Sequence, residues 1–295
     1  MTRRSTTPLR QAARSLARGV VGADRALLVA VGILVAFAVL AFSAPLWYGI
    51  SPLATDPAHV LGAPSFAHPM GTDDVGRDVF ARFLAGARIS LAVGLGVAVC
   101  AGVVGAGLGV LGGLGSGWVD TALSRLLDMV LAFPPLILAM AITVGLGVGL
   151  ITACLGIVLS TIPYYARITR SDVLRVRSAG YVEAAVALGV PPRRVIRRHI
   201  VPHVVPTILV QAATTFSFAI LSVAGLGFIG LGAQIPTPEW GTMVTEGSSL
   251  FISGHWWVST FPGIGLLIAT AAAAVAADRV RVLADPHATV RTTLA

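Results

Sequence analysis

"MVLAFPPLILAMAITVGLGVGLITACLGIVLSTIPYYA", residues 129–166, runs for 38 residues without one charged side chain. An α-helix rises about 1.5 Å per residue, so roughly 20 apolar residues cross the hydrocarbon of a bilayer. With the turns that precede it, the stretch is long enough for two crossings, and "GLGVGL" (145–150) is the natural place to reverse. The rest of the chain agrees: 56% of its 295 residues are hydrophobic and 12% charged, about half the charge of a soluble domain. The sequence predicts an all-α integral membrane protein.

Four further apolar runs stand outside this stretch. Ala26–Trp47 crosses once, and its length exceeds the 7–15 residues of a signal-peptide core, so it reads as an uncleaved anchor. Ile89–Val119 carries no charge, and Val204 to about Gly232 and His255–Ala277 follow later. The total is six transmembrane helices. The implied divisions are an Arg-rich N-terminal segment 1–25, a first span 26–47 and a segment 48–88 on the far side. A core of five spans over 89–278 follows, interrupted by a loop at 169–203, and then a tail 279–295. Gly105, Gly109 and Gly113 recur every four residues in the second span, which lets another helix of the same bundle approach backbone to backbone. Gly225, Gly227, Gly230 and Gly232 loosen the outer end of the fifth. No longer internal repeat is evident, which weakens an inverted-repeat transporter.

All 21 basic residues are arginine. Without lysine the chain has no nucleotide-binding P-loop and no Schiff-base chemistry. Arginine also sets the orientation. Six lie in the leader (3, 4, 10, 14, 18, 25), eight in 167–198, three in the tail (279, 281, 291), and Arg125 opens the third span on the same side. Only Arg77, Arg82 and Arg88 lie opposite. Both termini and the 169–203 loop are therefore expected in the cytoplasm, with Trp256 and Trp257 at the outer interface. The net charge of +8 belongs to these flanking arginines and implies no nucleic-acid partner. Cys100 and Cys154 are isolated in apolar runs, with neither disulfide nor metal spacing.

The exterior stretch "HPMGTDDVGRDVFARFLAGARIS" (68–90) gathers His68, Asp73, Asp74 and Asp78. Such acids can bind a cation. The stronger reading is a capped helix over 72–87, with Thr72 as cap, acids at the positive end of the dipole and an apolar stripe of Val79, Phe80, Phe83 and Leu84. It is predicted to lie at the outer interface, with no metal bound. Arg125 and Asp128 are spaced to pair on one helical face near Asp120. An ion-coupled carrier needs acids near mid-membrane, where the sequence offers none.

One polar island remains, "YVEAAVALGVPPRRVIRRHIVP" (181–202). Tyr181–Leu188 favours helix, Gly189 suits a left-handed end, and Pro191 and Pro192 start a second helix. Arg193, Arg194, Arg197 and Arg198 share a face of that helix, backed by Ile196 and Ile200, and Pro202 is expected to stop it. Anionic headgroups explain the arginines. They do not explain a small, alanine-faced first helix bearing a single acid, a shape suited to a protein groove.

"EAAVALG" (183–189) followed by "RHIVP" (198–202) resembles the EAA loop of binding-protein-dependent ABC importer permeases. His199 and Val201 depart from the general pattern, and His before Ile is typical of the dipeptide/oligopeptide/nickel branch. Residues 68–95, "PTPEWGTMV" (236–244) and "ADRVRVLADPH" (277–287) are similar to that branch as well, most of all to its second, "C"-type permease. The resemblance implies a type I importer permease fold in a bacterial cytoplasmic membrane. The implied partners are a homologous second permease, two ATP-binding subunits carrying ATP and Mg, and an extracytoplasmic substrate-binding protein. No catalysis and no cofactor would belong to this chain. Glu183, Ala184, Ala185 and Gly189 would form the contact with an ATPase subunit, and Arg193, Arg194, Arg197 and Arg198 would meet lipid or partner. The resemblance leaves peptide and nickel or metal-chelate cargo both open and names no substrate-binding residue. A self-sufficient channel or ion-coupled carrier is the reading from outside the family.

Overall fold

The computed structural model describes the backbone of residues 7–115 and 117–284 and the side chains of 25–115 and 117–283. The leader arginines 3, 4, 10, 14 and 18 and tail residues 285–295 therefore lie outside the described side chains. Ten α-helices form among the described residues: α1 (Thr7–Trp47), α2 (Val79–Leu114), α3 (Trp118–Leu131), α4 (Pro135–Leu146), α5 (Leu150–Arg177), α6 (Gly180–Ala187), α7 (Pro192–Val195), α8 (Val201–Phe228), α9 (Trp240–Ile252) and α10 (Trp257–Ala284).

Five helices are long and apolar enough to cross a membrane unbroken: α1 from Arg25, α2, α5, α10, and Pro192–Phe228, which joins α7 to α8. The sixth crossing is a broken one. Helices α3 and α4 pass the same test together but bend by 88° between them. The cause is local. Pro134 and Pro135 lack amide hydrogens, and the residue before a proline is pushed toward extended geometry, as Pro134 shows at φ −56°, ψ 131°. The chain reverses at Gly147, whose φ of +103° favours glycine, within the stretch chosen from sequence.

Helix α2 crosses α5 along the expected glycine ladder. A Cβ on Gly105 would lie 2.5 Å from Tyr165, on Gly109 2.6 Å from the Ala166 carbonyl, and on Gly113 2.7 Å from Val173. Any side chain there would push the helices apart. Farther along, Gly241 of α9 meets the backbone of Ala224 in α8 at 2.3 Å from its would-be Cβ. Between these crossings small apolar clusters fill the core: Val97, Ala139, Ala153, Ile157, Ala219 and Val223 in one, and Val79, Phe83, Leu84, Trp240 and Val258 in another.

The bundle has two unlike ends. Residues 48–78 and 229–256, including α9, form a capped end. Residues 178–200, with α6 and α7, form a loop end. The helix expected over 72–87 differs from this structure: it starts at Val79 and continues unbroken into the membrane span. Its cap is Asp78, which accepts from the Ala81 amide at 2.7 Å. Thr72 instead bridges the loop, donating to the His59 carbonyl and accepting from the Gly62 amide. The separate short helix at this end is α9, folded against α2, α8 and α10.

Candidate functional site

Helix α5 runs past the crossing with α2 and delivers the chain to Ser178, whose hydroxyl bonds back to the Leu174 and Arg175 carbonyls. Eight residues of α6 follow. Gly189 ends the helix with φ +80°, and its amide and that of Val190 return to the Val186 and Ala185 carbonyls at 2.9 and 3.1 Å. This is the left-handed termination the sequence predicted. Pro191 is extended (φ −61°, ψ 142°) and Pro192 opens α7, again as expected.

Pro202 does not stop the second helix. A single π turn, Ile196–Ile200, carries α7 into α8, and Pro202 sits in the first turn of α8. The Val201 amide reaches back to Ile196, one residue farther than in an α-helix. That wider turn makes room for a ring with no amide hydrogen, so the helix persists where a proline was expected to end it.

Packing fixes which face of α6 looks outward. Val182 is 1% exposed and joins Val173, Val195, Ile200 and Val204 in a small core beneath the loop. Glu183, Ala184 and Ala187 face outward with Leu188, which is 85% exposed. Ala185 is only half-buried, and its carbonyl holds the turn at Val190. Gly189 is exposed, with nothing within 4 Å of a would-be Cβ. Of the four residues singled out from sequence, three therefore share the outward surface and Ala185 lies at its edge. Ala187 and Leu188 were missed. The signal was present, since 183, 184, 187 and 188 follow helical i, i+4 spacing.

Arg193, Arg194, Arg197 and Arg198 are all exposed, and no carboxylate lies within 4 Å of them among the described residues. Behind them Tyr181 sits between two imidazoles, with ring centroids 5.8 Å from His199 and 6.1 Å from His203. The stack ties the start of α6 to the π turn and the start of α8. A cavity of about 790 Å³, lined by Leu174, Arg177, Glu183, Val186, Pro192 and Ile196, opens between α6 and the helix ends.

Other charged groups near this end close on one another. Asp128 accepts from Arg167 of α5 at 2.7 Å rather than pairing with Arg125, because α5 packs beside α3 and Arg125 turns outward. Asp120 and Arg170 form a two-point pair, both contacts 2.6 Å.

The acids of the capped end serve protein donors. Asp73 accepts from the Val75 and Arg77 amides and from Arg77 Nε at 2.6 Å. Asp78 Oδ2 accepts from the Tyr48 hydroxyl at 3.0 Å and lies 2.7 Å from His68 Nδ1, while Oδ1 makes the capping bond. Burial, with the Asp78 charge, pushes the Tyr48 phenol above its ordinary range. Arg82, 1% exposed, donates to Glu246 Oε2 at 2.6 Å and to the Pro236 carbonyl. Burial pushes the Glu246 carboxyl up, against the pull of Arg82 and Arg77. Glu239 is wholly buried, accepts from Ser90 Oγ and caps α9 through the Thr242 amide, and its neighbour Trp240 donates to the Phe83 carbonyl. The "PTPEWG" stretch thus fastens α9 onto α2.

With this geometry in hand, residues 83–290 match the family described as binding-protein-dependent transport system inner membrane component. The chain is 38% identical over 282 residues to the dipeptide transport system permease protein DppC of Alkalihalophilus pseudofirmus, covering 96% of this chain and 91% of that one. It is 41% identical over 237 residues to a probable D,D-dipeptide transport system permease protein of Escherichia coli, with 80% and 79% covered. Among solved structures it is similar to a chain of the inward-facing MetNI methionine ABC transporter, with TM-score 0.54 at 21% identity, covering 70% of this chain and 96% of that one. That likeness concerns the fold.

Proposed function

The chain belongs to the family of binding-protein-dependent transport system inner membrane components, and from that membership we propose that it forms half of the translocation pathway of an ATP-driven importer of dipeptides or oligopeptides. The observation that carries the reading is the outward face of α6. A helix whose inner face is locked by Val182, and whose outer face presents Glu183, two alanines and an exposed Leu188, is built to be gripped. The small alanines admit close approach, the leucine supplies an apolar anchor, and the carboxylate supplies a charge for a basic or polar partner.

In this reading the loop end faces the cytoplasm and docks on one of two ATPase subunits, which hold ATP and Mg. Closure of the ATPases moves α6. Because Val182, Val195 and Ile200 share one core with α5 and α8, that motion is handed to two membrane spans at once. The capped end faces outward and receives the substrate-binding protein, and cargo crosses between this chain and a homologous permease. The catalytic step lies on the ATPase subunits, since this chain has no lysine to reach a terminal phosphate. Peptide cargo is favoured by the relatives, whose names specify dipeptide, D,D-dipeptide, di/tripeptide and glutathione transport.

The test is binding-protein-stimulated ATP hydrolysis and peptide uptake by the reconstituted complex, with Glu183→Ala, Ala185→Leu, Gly189→Val and Leu188→Asp. The expected outcome is loss of stimulated hydrolysis or uptake, with the permease still inserted in the membrane. Wild-type behaviour from all four, with activity abolished when the four loop arginines are removed together, would make the loop a lipid anchor instead.

A further inference from the structure

Of the three arginines at the capped end, two are accounted for inside the chain and one is not. Arg77 and Arg82 are buried among Asp73 and Glu246. Arg88 has no carboxylate oxygen within 4 Å among the described residues; its guanidinium carbon lies 6.0 Å above the ring of Phe42, itself 57% exposed on α1. Arg88 also lines a groove of about 240 Å³ between the end of α1 and the first turns of α2. Ala44, Pro45, Ala81 and Ala85 give the groove narrow apolar walls, Tyr48 closes one side, and no acidic residue lines it.

The depth of this site identifies the medium that fills it. Trp47 and Tyr48 stack with Phe80, with ring centroids 5.0 to 6.2 Å apart, an aromatic cluster of the kind found at headgroup level. Phe42 lies five residues before Trp47, about 7.5 Å along the helix axis. The guanidinium therefore sits at the boundary between headgroups and hydrocarbon, where an unpaired charge is costly. A phosphate diester is the counter-ion the bilayer supplies there, and it matches the guanidinium fork.

We propose that Arg88 and the α1–α2 groove form a binding site for an anionic phospholipid, with the phosphate on Arg88 and the glycerol and headgroup directed along the groove past Ala44 and Ala85 toward Tyr48. A single cation with no neighbouring acid favours a lipid of net negative charge over a zwitterionic one. The bound lipid would fasten the end of α1 to the bundle. The inference goes beyond the transport reading and does not depend on the cargo.

The experiment uses the assembled importer in phosphatidylcholine vesicles doped with phosphatidylglycerol, followed by native mass spectrometry of lipids retained on this permease. The expected result is a preference of roughly fivefold for phosphatidylglycerol, the scale of one interfacial charge contact. Arg88→Gln should erase that preference, and Arg88→Lys should keep most of it. Ala85→Leu, which fills the groove but leaves the charge, should reduce retention of both lipids. Equal retention by wild type and Arg88→Gln would overturn the site. If Arg88→Gln does not assemble, a photoreactive residue at Ala44 in the otherwise unaltered chain decides alone. Cross-linking to lipid supports the proposal; cross-linking to the second permease gives Arg88 a protein partner and overturns it.

Discussion

Two charged regions of this bundle, the Arg77–Arg82 network and the 178–200 loop, treat charge in opposite ways. At the capped end Arg77 and Arg82 are buried and met by Asp73 and Glu246, and Asp78 serves two helices and a loop. At the loop end Arg193, Arg194, Arg197 and Arg198 stand exposed beside an exposed Leu188. A charge that finds its counter-charge within the chain makes a rigid platform. A cluster of charge and apolar surface without a counter-charge nearby is free to meet another molecule, as the proposed function requires. On the proposed function, the difference separates the part of the permease that completes its own fold from the part that is completed on assembly.

The largest effect is expected where that contrast is sharpest. Arg82→Ala removes the closer partner of a buried pair and leaves Glu246 only Arg77 at 3.6 Å, which should cost about 3 kcal/mol, seen as a marked fall in the unfolding temperature of the solubilised protein. Arg194→Ala, in the same measurement, should move it by at most a few tenths of a kcal/mol, as for an ordinary surface substitution. Equal shifts would break the comparison.

Leu188→Asp should act in the reverse sense. Its stability effect should be small, because the side chain is exposed, while stimulated ATP hydrolysis by the complex falls about tenfold or more, as for loss of an interface anchor worth at least 1.4 kcal/mol. A stable variant with full stimulation would remove Leu188 from the contact.

Gly189→Val tests backbone alone, since nothing lies within 4 Å of the added Cβ. Forcing a β-branched residue to φ +80° should cost about 1–2 kcal/mol locally, read as faster amide exchange at positions 189 and 190 without global unfolding.

The smallest effect belongs to an exposed turn of the capped end. His59 and the Ala58 amide hold the Asp56 carboxyl below its ordinary value of 3.8. The folded-state value is the lower one, so this contribution is present above that ordinary value and is lost as the pH falls through the depressed one. Acidification should loosen the 53–66 loop to proteolysis. Asp56→Asn should loosen it at neutral pH and lose the acid-dependent step.

What could be read from sequence alone is local or one-dimensional. The charge-free runs, the turn at 145–150, the glycine ladder and the Gly189–Pro192 bend each depend on residues a few positions apart, and each appears in the structure. The proline at 202 misled because a π turn absorbs it, a choice set by the packing of Ile196 and Ile200. Pro134–Pro135 sets the break between α3 and α4 inside a run whose hydropathy is unbroken, so hydropathy alone does not reveal it.

The sequence by itself determined that the chain crosses a membrane, where it reverses and where its polar loop lies, because hydropathy, proline and glycine act within one or two turns. Only the tertiary structure decided which charges meet. Arg82 finds Glu246 across 164 residues, Ser90 finds Glu239 across 149, and Asp128 takes Arg167 in place of the nearby Arg125. It also decided which face of α6 is left exposed. Those outcomes depend on which helices lie side by side, and Arg82, once buried, must pair with whichever counter-charge the packing brings within reach, however far away it stands in the chain.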